Sequence, residues 1–238
     1  MTLSDTFYDI ISLRNKLFTG GVFMYVKNQM TTDVVTVFKD ASIDLAFQLM
    51  IEKGCKQLPV IDDGQLVGCV TEQLLSEVSP SKATTLSMYE LNYLLSKTKV
   101  KDIMITDMPT GKPDMLMEDA AQLLLNSGVD SLPITEGKKL VGIITRTDIL
   151  KSYLELTGVG EIGSRVSIKA KDETGILADI TSIIKKFNIN IAHVANYDHI
   201  GSDDAGEIII RLASTETDEL INALEASGYE ILSVRQNT

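Results

Sequence analysis

Residues 54–71, GCKQLPVIDDGQLVGCVT, and residues 128–150, GVDSLPITEGKKLVGIITRTDIL, decide the fold. Laid over one another at a shift of 74 positions, they extend without a gap to 28–75 and 102–149. Met30, Thr32, Asp33, Thr36, Asp40, Ala46, Gln48, Leu49, Gly54, Leu58, Pro59, Leu66, Val67, Gly68 and Thr71 each recur as the same residue in the second copy. Fifteen identities in 48 positions mark an internal repeat, which has to be seen before any element is assigned.

Each copy reads as β-α-β-β-α. A short β-rich segment, Val34 to Val37, leads into a helix with Ser42 at its start and Ile43, Ala46, Leu49 and Met50 inward. Their spacing of three and four is helical, and Gly54 closes the helix. Gln57 to Ile61 is a strand, Asp62-Asp63-Gly64 a turn and Leu66 to Val70 a second strand, which together signal a hairpin. A last helix starts near Thr71. The second copy repeats the plan with Gly128, Ser131 to Thr135, Glu136-Gly137, Leu140 to Ile144 and Thr145.

The two quoted stretches resemble CBS motifs, and YVKNQMTTDVVTV (25–37) and VKDIMITDMPTG (100–111) resemble their lead-in strands. Two such motifs in tandem imply a pseudo-twofold module with two clefts for adenosine ligands. Met88, Leu91, Leu94 and Leu95, at helical spacing between Ser79 and Lys99, read as a bracing helix.

The clefts differ. Gly142-Ile143-Ile144-Thr145-Arg146-Thr147-Asp148 offers a glycine for close backbone approach, a helix N-terminus for a phosphate, two hydroxyls and one cation. By resemblance, Thr145, Arg146 and Thr147 take the phosphate and Asp148 the ribose diol. Met108, Pro109, Val129, Leu132 and Pro133 are expected to sandwich the adenine, with Thr110 adding a hydroxyl. On the alternative reading Thr145 only caps the helix and Asp148 sits in its first turn for the dipole. In the first copy Leu74 stands at the ribose position and Glu72 replaces the arginine, so that cleft is expected to be weak, empty or altered, with Lys56 as a neighbouring cation.

After Val159 to Gly163, which reads as a hinge, the pattern changes to β-α-β-β-α-β, a ferredoxin-like order. KDETGILADITSIIKKFNINIAHV (171–194) resembles the first loop, helix and second strand of an ACT domain. The resemblance implies pairing side by side with an amino acid at the seam. Asp172 and Asn190 would be its polar contacts, and Gly175, Ile176 and Leu177 would offer helix amides to its carboxylate. An ACT domain used only for dimerisation is the other reading. His193 and His199 read as surface or packing residues.

The fold class is therefore α+β: an N-terminal extension (1–23), a first CBS motif with its bracing helix (24–98), a second (99–158) and an ACT domain (163–238). The whole resembles the acetoin-utilisation AcuB family of cytosolic proteins. It implies a non-catalytic regulator that takes AMP, ATP or a cyclic dinucleotide as ligand, no cofactor, an even oligomer and an unidentified protein target. Formal net charge is −11, with acidic excess in both halves, which disfavours nucleic acid and anionic membrane. Cys55 and Cys69 sit in no metal-binding pattern. A complete P-loop, G-x-S-x-G and H-E-x-x-H are all absent, although Gly158 to Arg165 has P-loop glycine spacing without the Lys-Ser/Thr. Thr19-Gly20-Gly21, two codons ahead of Met24, can be encoded by a ribosome-binding sequence, so translation is expected to start at Met24 and residues 1–23 to be dispensable. Against that, Leu3, Phe7, Ile10, Ile11, Leu17 and Phe18 have the spacing of an amphipathic helix.

Overall fold

The computed structural model of the chain describes residues 24–78, 96–171, 173–197 and 205–237. The extension, the bracing helix around Met88 to Leu95, Asp172 and His199 lie outside these residues. The chain divides into two compact units, which meet in sequence between Ile149 and Leu150.

In the first unit, the first repeat comprises α1 (Val26–Gln29), β1 (Val37–Phe38), α2 (Ile43–Lys53), β2 (Gln57–Asp62), β3 (Gln65–Thr71) and α3 (Glu72–Val78). The second comprises α4 (Val100–Ile103), α5 (Met117–Ser127), β4 (Ser131–Glu136), β5 (Lys139–Thr145) and α6 (Arg146–Leu156), whose end passes into the second unit. Ser42 caps α2 by accepting from the Leu45 amide, and Gly54 and Gly128 end α2 and α5 in the left-handed region. The Asp63-Gly64 turn has φ of 50° and 74°, the signs that a two-residue hairpin needs.

The repeats exchange their lead-ins. Thr31 pairs through both backbone bonds with Ile143 of β5, and Ile105 pairs in the same way with Cys69 of β3. Upstream, α1 bonds to the second repeat (Val26 N to Met115 O, 2.9 Å) and α4 to the first (Val100 N to Ala41 O, 2.9 Å). Each lead-in then returns to its own hairpin. β1 runs parallel to β2, and Gly111 pairs in parallel with Ile134.

The exchange also completes both cores. Val100, fully buried, joins Val37, Ile43, Ala46, Met50, Leu58, Val60 and Val70, while Val26, also fully buried, joins Met117, Ala120, Leu124, Leu132, Ile134 and Ile144. Gly142 is small because the Met30 side chain lies against it, and Gly68 because the Ile105 carbonyl oxygen would stand 2.8 Å from any Cβ. The expectation that Gly142 frees the backbone for a ligand is thereby corrected: its neighbour is the other repeat's lead-in.

The second unit is a four-stranded antiparallel sheet in the order β7-β8-β6-β9, formed by β6 (Gly163–Lys171), β7 (Ile191–Tyr197), β8 (Ala205–Leu212) and β9 (Glu230–Asn237). Both its helices, α7 (Ile176–Lys186) and α8 (Asp218–Ala226), cover one face. Alternation along β6 and β8 sends Val166, Ile168, Ala170, Ile208, Ile210 and Leu212 to Ile180, Ile184, Leu220 and Leu224. Arg211 and His193, register partners, take the opposite face. Arg211 Nε donates to the Thr157 carbonyl (2.9 Å), His193 Nε2 stands 3.3 Å from the Glu161 carboxylate, and Asn237 Nδ2 donates to the Glu161 carbonyl (2.9 Å). The expected hinge is therefore corrected: side chains of β7, β8 and β9 hold residues 157–161 on the sheet. Gly158 fits under the His193 ring, which accounts for a glycine there without any phosphate loop.

Candidate ligand cavity between the repeats

A cavity of about 830 Å³ opens between the two repeats. Equivalent residues line it from both sides, Thr71 with Thr145, Gln73 with Thr147, Cys55 with Val129, Lys56 with Asp130 and Gln57 with Ser131. The exchanged lead-in adds Thr31, Asp33, Val34 and Val35.

Of the expected nucleotide residues, Thr145, Arg146, Thr147 and Val129 line this space, whereas Met108, Pro109, Thr110, Leu132, Pro133 and Asp148 are not in its wall. Leu132 is fully buried in its repeat's own core, and Pro133 is buried with its carbonyl accepting from Gly111. Because Thr31 pairs with β5, the apolar wall near Thr145 comes from Val34 and Val35, the first repeat's counterparts of Met108 and Pro109. The signal for this was in the sequence only as the two copies of the lead-in, which look alike.

At the start of α6 a reciprocal cap has formed. Asp148 Oδ2 accepts from the Thr145 amide (2.9 Å) and hydroxyl (2.7 Å), and Thr145 Oγ1 accepts from the Asp148 amide (3.2 Å). The cap expected on the alternative reading of these two residues is therefore present. Arg146, first residue of α6, is paired with Asp130 at 3.1 Å. In the first repeat Thr71 Oγ1 accepts from the Leu74 amide (3.2 Å), with no carboxylate to reciprocate. Burial pushes the Cys69 thiol up to about 12 and raises that of Cys55, which borders the cavity, so neither is poised as a thiolate near neutral pH.

In the second unit, Gly175 (φ 98°) precedes α7 with Ile176 packed on the core and Leu177 exposed. Asn190 follows the far end of that helix, where its carbonyl accepts from Ala213 and its residue borders open grooves of about 350 and 790 Å³. Nine helical residues after Leu177, about 13.5 Å of rise, separate the two groups, so one chain does not bring them together.

A CBS-domain family model matches residues 25–79 and 100–155, and an ACT-domain model matches 164–229. The chain belongs to the CBS-domain proteins and carries an ACT domain. The CBS domain-containing protein CBSX1, chloroplastic, of Arabidopsis thaliana is 32% identical over 171 residues, 63% of this chain and 70% of its own length. A homoserine O-acetyltransferase of Methanosalsum zhilinae is 35% identical over 128 residues, 53% of this chain but only 23% of that enzyme. The solved structure of a putative acetoin utilization protein (AcuB) from Vibrio cholerae aligns with a TM-score of 0.49 at 22% identity, covering 58% of this chain and 96% of that one. No helix among the described residues is long and apolar enough to cross a membrane.

Proposed function

We propose that the chain is a non-catalytic regulatory sensor that holds one adenosine nucleotide in the cavity between its CBS repeats. The observation that carries this reading is the cavity itself, within the size range of small-molecule sites and bordered by the N-terminus of α6 with Thr145, Arg146 and Thr147. The apolar side chains of Val34 and Val35 suit a base, and the hydroxyl-rich helix start suits ribose and phosphate. Asp148 is not in the wall itself and supports the site through its bonds to the Thr145 amide and hydroxyl. AMP, ATP or a cyclic dinucleotide would act here as a signal and not as a cofactor.

Calorimetry with AMP and ATP is expected to give one site per chain. Asp148→Ala, which removes the carboxylate that holds Thr145 in the cavity wall, should weaken binding roughly 10-fold. Unchanged affinity in that variant would move the nucleotide to the Lys56 side of the cavity. Steady nucleotide turnover above the blank would overturn the non-catalytic assignment.

An amino acid is the proposed second input. Gly175 to Leu177 and Asn190 stand at opposite ends of α7, so a site that uses both takes one end from each of two copies, in a homodimer or higher even oligomer. A monomer by light scattering at micromolar concentration would overturn it. One observation favours a second reading, a dimeric scaffold with vestigial clefts that acts through a partner such as an acetoin-utilisation enzyme: Asp148 and Arg146 are both already engaged within the chain. A thermal-shift response to nucleotides or amino acids separates sensor from scaffold.

A further inference from the structure

Two buried side-chain hydroxyls among the described residues lack a hydrogen-bond partner, Ser131 and Ser152. Buried polar groups are nearly always paired, so an orphan calls for an explanation. Ser152 is not in the cavity wall. Ser131 is, and it is only 5% exposed. It opens β4 directly opposite Thr145 of β5. Its neighbour Leu132 points into the repeat's core with no exposure, and side chains alternate along a strand. The Ser131 side chain therefore leaves the core on the face that carries the cavity, beside the start of α6.

We propose that Ser131 is a ligand-contacting residue of this cavity, its hydroxyl bonding the ribose or phosphate end of the nucleotide next to Thr145 and Thr147. The proposal rests on the nucleotide reading of the same cavity and adds a residue to it. It also makes the cavity one-sided. The first repeat's counterpart is Gln57, so the equivalent place across the pseudo-twofold offers no hydroxyl.

The assignment has a signature that a merely structural serine lacks. A desolvated hydroxyl without a partner costs stability in the unliganded chain. Ser131→Ala is expected to leave the unliganded melting temperature unchanged or raise it, and yet to weaken AMP binding roughly 3- to 10-fold, the worth of one neutral hydrogen bond. Ser152→Ala, the matched control, should leave AMP affinity unchanged. The experiment is a thermal-shift and calorimetric titration of the full chain and both variants with AMP, and with adenosine and ATP in parallel. AMP affinity unchanged in Ser131→Ala would show that the hydroxyl serves something other than the ligand, such as a buried water, and overturns the proposal while the nucleotide reading stands. A fall of several degrees in the unliganded Ser131→Ala melting temperature would show a partner within the chain and overturns it too. A wild-type chain that none of the three probes stabilises overturns both readings together.

Discussion

The two repeats place opposite charges at the same two positions. In the first, Lys56 precedes β2 and Glu72 begins α3; in the second, Asp130 precedes β4 and Arg146 begins α6. The backbone link between the two positions is the same, Glu72 N to Lys56 O at 2.8 Å and Arg146 N to Asp130 O at 3.1 Å. So is the hydroxyl cap, Thr71 to the Leu74 amide and Thr145 to the Asp148 amide, both 3.2 Å. The threonine and the backbone bond are thus common to both repeats, whereas the charges are exchanged. What the second repeat adds is a carboxylate at Asp148, a cation at the positive end of a helix and an orphan hydroxyl at Ser131. A cation at a helix N-terminus is unfavourable for the helix dipole, a local cost that a bound anion would remove. Asp130 meets part of that cost through an exposed pair worth at most about 1 kcal/mol.

The largest expected asymmetry between the repeats lies in their shared glycines. At Gly68 a Cβ would meet the backbone oxygen of Ile105 at 2.8 Å, which cannot move without breaking the Cys69–Ile105 pair. At Gly142 it meets the flexible end of Met30. Gly68→Ala should therefore cost about 2–3 kcal/mol and Gly142→Ala about 1 kcal/mol, read from denaturant unfolding. Equal costs would mean that the two exchanged lead-ins are equally adaptable.

Next in size is a difference in pH response between Cys69 and its counterpart Ile143. The buried thiol holds its proton to about 12, against an ordinary value of 9.0. The unfolded chain therefore loses that proton first as pH rises, and the stability that burial of the thiol contributes is complete below pH 9 and declines above it. By pH 10 the loss is about 1.4 kcal/mol, and Cys69→Val should abolish that part of the decline. In native protein a thiol reagent should reach the partly exposed Cys55 first and Cys69 only on unfolding. Rapid modification of both would show that the first hairpin opens readily.

The smallest expected effect separates the two cations. Among the described residues Lys56 has no ion-pair partner, whereas Arg146 has Asp130. Lys56→Ala and Arg146→Ala should each weaken AMP binding about 2- to 5-fold at low salt, with the gap to wild type closing near 0.5 M salt as screening takes over. A loss for Lys56→Ala alone would make the first repeat the charged side of the cavity.

Much of the molecule was determined by residues a few positions apart. The repeat, the Ser42 and Thr145 caps, the left-handed ends at Gly54 and Gly128, the Asp63-Gly64 turn and the alternation of Val166, Ile168 and Ala170 all depend on local spacing and backbone preference, and all are present in the structure. Only the tertiary structure decided which repeat each lead-in joins. Met30 and Met104, Thr32 and Thr106, and Gly68 and Gly142 are identical pairs, so a lead-in meets the same partners on either hairpin and the pattern cannot distinguish them. That choice put Val34 and Val35 in the cavity wall with Thr145. The same holds for residues 157–161, glycine-rich and hinge-like in isolation, because Arg211, His193 and Asn237, which hold them, lie 32 or more positions away. Local chemistry fixes elements within a few residues of chain; pairings between distant and near-identical segments depend on contacts that local pattern does not carry, such as the burial of Val100 in the first repeat's core and Val26 in the second's.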